Sequence, residues 1–158
     1  MVEYTVELPD LTATQALGAR IAGLLRAGDV VALTGGLGAG KTTLSRAIIH
    51  AAGHQGEVPS PTFTIIETYD HLPVPLVHAD FYRLKSPEES QEIGLDDYRY
   101  GAALIAEWPD HAGGFGHEAG CLSITIQTPT PESGDAARRA IVQPGADWLS
   151  RWNDSESA

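Results

Sequence analysis

The chain has 158 residues, enough for one domain with a sizeable core. Its 42% hydrophobic content excludes wholesale disorder, and a formal net charge of -11 (10 Lys+Arg against 21 Asp+Glu) disfavours independent binding to a nucleic-acid backbone. A single cysteine, Cys121, rules out an internal disulfide and a Cys-rich metal site, and no run approaches the roughly 18 apolar residues of a membrane span.

Met1-Val2-Glu3-Tyr4-Thr5 has neither the basic nor the apolar region of a signal peptide, so the expected setting is cytoplasmic, with no membrane partner. Residues 3–8 alternate, with Tyr4, Val6 and Leu8 on one face, and predict a half-buried edge strand. Pro9-Asp10 turns the chain. Thr12-Ala13-Thr14-Gln15 matches a capping box, and Leu17, Ile21, Leu24 and Leu25 predict a helix that Gly28 ends. Val30-Val31-Ala32-Leu33 is a short apolar run that reads as a buried central strand, and residues 43–52 predict a helix stopped by Gly53.

Between that strand and that helix lies Gly35-Gly36-Leu37-Gly38-Ala39-Gly40-Lys41-Thr42-Thr43, which fits the phosphate-binding pattern G-x-x-x-x-G-K-[ST]. The chemistry dictates these residue types. A triphosphate is wrapped by backbone N–H groups, and glycines let the chain curl close to it without a Cβ clash. The helix that follows points its positive end at the same phosphates. Lys41 is expected to reach the β- and γ-phosphates, and the Thr42 hydroxyl to bind Mg²⁺.

Beyond a polar loop over 53–60, residues 62–69 predict a strand, and 76–81 another after a turn. Ser86-Pro87-Glu88-Glu89 predicts a helix start with Ser86 as N-cap, cut short by Gly94. Residues 102–107 read as a buried strand, 110–120 as a loop, and the alternation of Leu122, Ile124 and Ile126 as a strand. A polar turn over 128–135, a short strand over 140–142 and a last helical turn over 147–152 complete the chain, with residues 153–158 expected to fray. The sum is a single α/β domain over residues 1–152: a P-loop NTPase-like three-layer sandwich with a mixed, mostly parallel central sheet and antiparallel edge strands.

Turning over a bound nucleotide also needs acidic groups near the metal and the attacking atom, and an open α/β sheet presents them at the C-terminal ends of its strands. Asp80 ends Leu76-Val77-His78-Ala79, and Glu107 ends Ala103-Leu104-Ile105-Ala106. One would hold Mg²⁺ through water; the other would bind Mg²⁺ directly or orient the attacking water. The residue pattern does not say which is which. Thr62, in Ser60-Pro61-Thr62-Phe63, sits where nucleotide switches present a threonine to the γ-phosphate. Trp108 stacks on a ligand or serves as a core residue. His78, on the same strand face as Asp80, reads as a packing histidine in preference to a metal ligand. Arg83 and Arg138 read as surface ion-pairing residues.

The ordered strings GGLGAGKTTLSRAII, SPTFTIIETY, HADFYRL, EIGLDDY and ALIAEWPD resemble the TsaE (YjeE) family over roughly residues 8–110. The resemblance implies a small Mg²⁺-dependent ATPase of P-loop fold, required for placing the threonylcarbamoyl group on the adenosine beside the tRNA anticodon. It implies TsaD and TsaB homologues as partners, with ATP hydrolysis resetting their complex and tRNA reached only through them. In those terms Lys41 binds phosphate, Thr42 and Glu107 serve the metal, Asp80 is the catalytic acidic residue, Thr62 belongs to a switch-like loop and Trp108 flanks the site. Gly36 stands where many members carry an acidic residue. Competing readings are a small-molecule kinase on the same fold, which usually carries an Arg-rich lid; a GTP switch, whose N-K-x-D string is absent; and a nucleotide-sensing binding module.

Overall fold

The computed structural model describes residues 2–129 and 137–155. In chain order the elements are β1 (Tyr4–Leu8), α1 (Leu11–Leu24), β2 (Val30–Thr34), α2 (Lys41–Ala51), β3 (Ile66–Tyr69), β4 (Leu76–Asp80), α3 (Glu88–Glu92), α4 (Leu95–Arg99), β5 (Ala103–Glu107), a 3-10 turn (Pro109–Ala112), β6 (Cys121–Gln127), β7 (Arg138–Pro144) and α5 (Leu149–Ser155). They form a seven-stranded sheet in the order β1-β7-β6-β2-β5-β4-β3. The run β6-β2-β5-β4 is parallel, and the pairs β6–β7, β7–β1 and β4–β3 are antiparallel. The fold is therefore the mixed sheet with antiparallel edges that the sequence predicts.

The apolar strand runs divide by parity. Val31, Leu33, Ile105 and Leu76 join Leu17, Ile21, Leu44 and Ile48 of α1 and α2 in one core. Val30, Ala32, Leu104, Ala106, Val77 and Ala79 face the other way, towards Phe81, Leu95 and Phe115. Burial on both faces is why β2, β4 and β5 are near-continuous apolar strings.

Several local expectations are corrected. The N-cap of α1 is Asp10, whose Oδ1 accepts from the Ala13 N–H at 2.9 Å, so the Thr12 capping box lies inside the helix. The strand expected over 62–69 begins only at Ile66, because residues 61–64 form a turn. After Gly94, at φ 78°, the chain re-enters a second short helix, α4, which was not expected. The 3-10 turn at Pro109–Ala112 enters what was expected to be loop, and β7 is longer than the predicted 140–142. The tail expected to fray from residue 153 is helical through Ser155. Arg20 Nε donates to Ser155 Oγ at 2.7 Å and its Nη2 to the Trp152 carbonyl at 2.9 Å. The last three residues, and most of the expected 128–135 turn, lie outside the described residues.

The seat of α2 is set by a close approach. A Cβ at Gly18 would lie 2.6 Å from Ala47 Cβ and 2.9 Å from the Ala47 carbonyl carbon, so α1 meets α2 there with room only for hydrogen. Gly18→Ala should cost about 1–3 kcal/mol through overpacking. In thermal unfolding that is a Tm lowered by about 2–4 °C per kcal/mol for a chain of this size. Adding Ala47→Gly should recover part of the loss; an unchanged Tm in Gly18→Ala would show that the helices have slack.

Candidate active site

The phosphate-loop sequence leaves β2 and enters α2 at Gly40, whose φ of 112° suits glycine and strains other residues. No side chain caps α2, so its first N–H groups are left for a ligand. Among the described residues, 37–43 line one cleft of about 440 Å³ with Thr62, Asp80, Glu107 and Trp108. Lys41 folds back into the loop. Its Nζ donates to the carbonyls of Gly35 and Gly36, each at 2.7 Å, and stands 4.3 Å from the Trp108 ring centroid. Burial draws the Lys41 pKa down, opposed by the negative charges of Glu107 and Asp80.

Asp80 and Glu107 are register partners on adjacent parallel strands, and their parity turns both towards α2. Their environments differ. Glu107 is held from three directions: Oε1 accepts from Thr42 Oγ1 at 2.8 Å, and Oε2 from Ser45 Oγ at 3.2 Å and His78 Nε2 at 2.6 Å. Burial pushes its carboxyl up, but the hydrogen bond and attraction of His78, with the two hydroxyls, outweigh that and hold its pKa below the ordinary 4.5. Asp80 takes one backbone donor, the Tyr82 N–H, at 2.9 Å to Oδ1. There burial wins. Its carboxyl is raised above 3.8, with Glu107 adding to the rise and the Tyr82 bond, His78 and Lys41 opposing it. Two carboxylates side by side, one pinned and ionised and the other pushed up, is a pattern that divides structural from proton-handling duties.

Thr62 reaches the cleft from a turn, not from a strand. Its hydroxyl pairs with Ser60 Oγ at 2.7 Å, and the Ile65 N–H closes the turn on the Pro61 carbonyl at 2.7 Å. Ile65 stands at φ 69°, an outlier for a β-branched residue. Trp108 also has positive φ, 55°, and its indole packs against the Tyr82 ring at 4.9 Å to form a wall over Lys41. Of the arginines read as surface residues, Arg138 lines the cleft, with Nη2 3.3 Å from the Gly38 carbonyl; Arg83 lies over the exposed Phe63 ring instead. Ser45 went unnoticed in the sequence, although its place one turn beyond Lys41 and Thr42 puts it on their helix face. His78 is fully buried and hydrogen-bonded to Glu107, so it does more than fill the core.

A second hollow of about 520 Å³ adjoins the cleft through Thr43 and Arg138 and runs past Asp10, Leu11 and Thr14. The donors facing the cleft suit Mg²⁺. A hydroxyl and a carboxylate already in hydrogen-bond contact, with a second carboxylate alongside, supply the one or two protein oxygens that this ion takes beside phosphate and water. Among the described residues no group of three or more His, Cys, Asp or Glu side chains is placed to hold a metal ion by itself, and no helix is long and apolar enough to cross a membrane.

Comparison with known proteins gives the family and the fold. The family described as threonylcarbamoyl adenosine biosynthesis protein TsaE matches residues 8–140. A protein of Haemophilus influenzae named tRNA threonylcarbamoyladenosine biosynthesis protein TsaE is 43% identical over 94 residues, 59% of this chain and 60% of that one. Its namesake from Streptomyces coelicolor is 46% identical over 95 residues, 58% of this chain and 64% of that one. The matched stretch thus spans about 60% of the length of these relatives. The crystal structure of Bacillus subtilis YdiB superposes with a TM-score of 0.79 at 26% identity, covering 99% of this chain and 95% of that one. With the family matched over most of its length and the fold shared nearly end to end, the chain belongs to the TsaE family.

Proposed function

We propose that this chain is a Mg²⁺-dependent ATPase acting in the cytoplasm with TsaD and TsaB homologues in threonylcarbamoylation of the adenosine beside the tRNA anticodon. The observation that carries the reading is the meeting of Lys41, Thr42, Glu107 and Asp80 in one cleft at the uncapped start of α2. Triphosphate lies along residues 35–43, with Lys41 exchanging its loop carbonyls for phosphate oxygens, and the nucleoside extends into the adjoining hollow. Bound Mg²⁺ would neutralise charge on the β- and γ-phosphates, with Thr42 and Glu107 as the residues that hold it. Asp80, with its raised affinity for a proton, orients and deprotonates the attacking water. Thr62 approaches from its turn on the γ-phosphate side, and Trp108 closes the cleft beside Lys41.

The pathway assignment rests on family membership and on what the relatives' names state. The net charge of -11 favours reaching tRNA through basic partner surfaces. Arg138 is the one arginine that lines the cleft among the described residues, and its guanidinium is directed at a backbone carbonyl. Turnover by the isolated chain should therefore be slow and should rise, by about tenfold or more, when TsaD and TsaB homologues complete or order the site. Steady-state ATP hydrolysis with and without the two partners tests this; equal rates would refute stimulation, and no hydrolysis in either mixture would leave a nucleotide sensor as the better reading.

A further inference from the structure

The buried contact between His78 and Glu107 has no place in the reading above. His78 is 0% exposed and sits mid-strand in β4, two register pairs below the Asp80–Glu107 pair and on the same face as both. Glu107 already accepts from the Thr42 and Ser45 hydroxyls, and an ionised carboxylate has acceptors only, so in the 2.6 Å contact Nε2 is the donor and Oε2 the acceptor. The other ring nitrogen, Nδ1, is buried without a hydrogen-bond partner among the described residues. A histidine retained for the core alone would be expected to satisfy both nitrogens or to be apolar. Among the described residues this ring has a single hydrogen-bond partner, and that partner is the carboxylate that touches Thr42.

We propose that His78 is the positioning residue for the metal-holding carboxylate. By fixing Oε2 together with Ser45, it leaves Oε1 directed at the Thr42 hydroxyl, so that the two oxygens proposed to serve Mg²⁺ stand ready together before ligand arrives. Carboxylates that bind a metal are commonly oriented by such outer partners, whose loss weakens metal affinity by about 10- to 100-fold. This role rests on the nucleotide reading and adds to it a claim about one residue that touches neither nucleotide nor metal.

The test is the Mg²⁺ dependence of nucleotide binding, which needs no turnover. A fluorescent ATP analogue is titrated into wild type, His78→Asn and His78→Gln at a series of Mg²⁺ concentrations and in excess EDTA. The glutamine amide N–H reaches about as far as Nε2; the asparagine amide stops near Nδ1. His78→Asn should need about 10- to 100-fold more Mg²⁺ for half-maximal enhancement of binding while keeping the EDTA affinity within about threefold. His78→Gln should recover most of the wild-type Mg²⁺ response, whereas His78→Met, titrated in the same way, has similar bulk but no N–H to offer and should not, which separates a hydrogen-bonding role from volume filling. If His78→Asn does not fold, the glutamine and methionine variants still decide, since a wild-type Mg²⁺ response in His78→Gln with a weakened one in His78→Met supports the role, and equal responses in the two overturn it. An unchanged Mg²⁺ midpoint in folded His78→Asn overturns the role while the nucleotide reading stands. A wild type with no Mg²⁺-enhanced binding removes both.

Discussion

Lys41→Ala is expected to abolish useful ATP binding. The ammonium is almost wholly buried and bonded to the Gly35 and Gly36 carbonyls, with two carboxylates facing the same cleft. In the bound state those carbonyls would be exchanged for phosphate oxygens, so the variant loses a charge-assisted contact in a site partly closed to water. Truncating one partner of a buried, hydrogen-bonded charge pair costs about 2–5 kcal/mol. That is roughly 30- to 4,000-fold in affinity. The effect on the fold should be small, because the apo loop keeps Gly40 at the head of α2 and the Leu44 N–H bonded to the Gly40 carbonyl. Calorimetric titration of ATP with Mg²⁺ provides the measurement, with circular dichroism to confirm folding. Tryptophan emission offers a second readout, since Trp108 lies against Lys41 whereas Trp148 and Trp152 are fully buried in the core. Emission that responds to ATP in the wild type should not respond in the variant. A folded Lys41→Ala protein that binds ATP with wild-type affinity would overturn the phosphate-loop assignment itself.

The phosphate loop was legible because its chemistry is local. The glycines, the lysine and the threonine act within nine consecutive residues, and the flanking strand and helix announce themselves by apolar pattern. The pairing of Asp80 with Glu107 was legible at one remove, since both end apolar strands and such ends gather at one rim of a parallel sheet. What escaped depends on contacts distant in sequence. His78 and Glu107 are 29 residues apart and meet only because β4 and β5 are neighbours, so the imidazole looked like packing. Ser45 is a small residue on a helix, and only its distance to Glu107 gives it meaning. Residues 62–69 carry a strand composition, yet Pro61, Thr62, Phe63 and Thr64 spend it on a turn that brings Thr62 to the cleft. Local propensity gave way there to tertiary position. The departures from local backbone preference that do lie at the site are the 61–64 turn, Ile65 and Trp108 at positive φ, and the uncapped α2. These are positions where function and local preference conflict.

Asp80→Asn should separate binding from turnover. Glu107 and Thr42 already touch, whereas Asp80 Oδ1 is engaged by the Tyr82 N–H and its carboxyl is raised by burial, as suits a group that handles a proton. The asparagine keeps size and an acceptor oxygen for Tyr82 but cannot take a proton from water. Hydrolysis should fall by about 10²–10⁴-fold, while ATP affinity in the presence of Mg²⁺ stays within a few-fold of wild type. Single-turnover hydrolysis beside equilibrium binding reads both. Stability supplies an independent sign. The folded apo chain binds the Asp80 proton more tightly than the unfolded chain does, so ionisation weighs against the fold as pH rises through the raised pKa. Removing the charge should therefore raise the apo Tm at neutral pH, and the advantage should shrink as pH falls towards the ordinary 3.8. A variant that loses Mg²⁺-dependent binding together with turnover would place Asp80 on the metal and give the water-orienting task to Glu107. That outcome is hard to reconcile with a Glu107 carboxylate whose two oxygens are already committed to Thr42, Ser45 and His78.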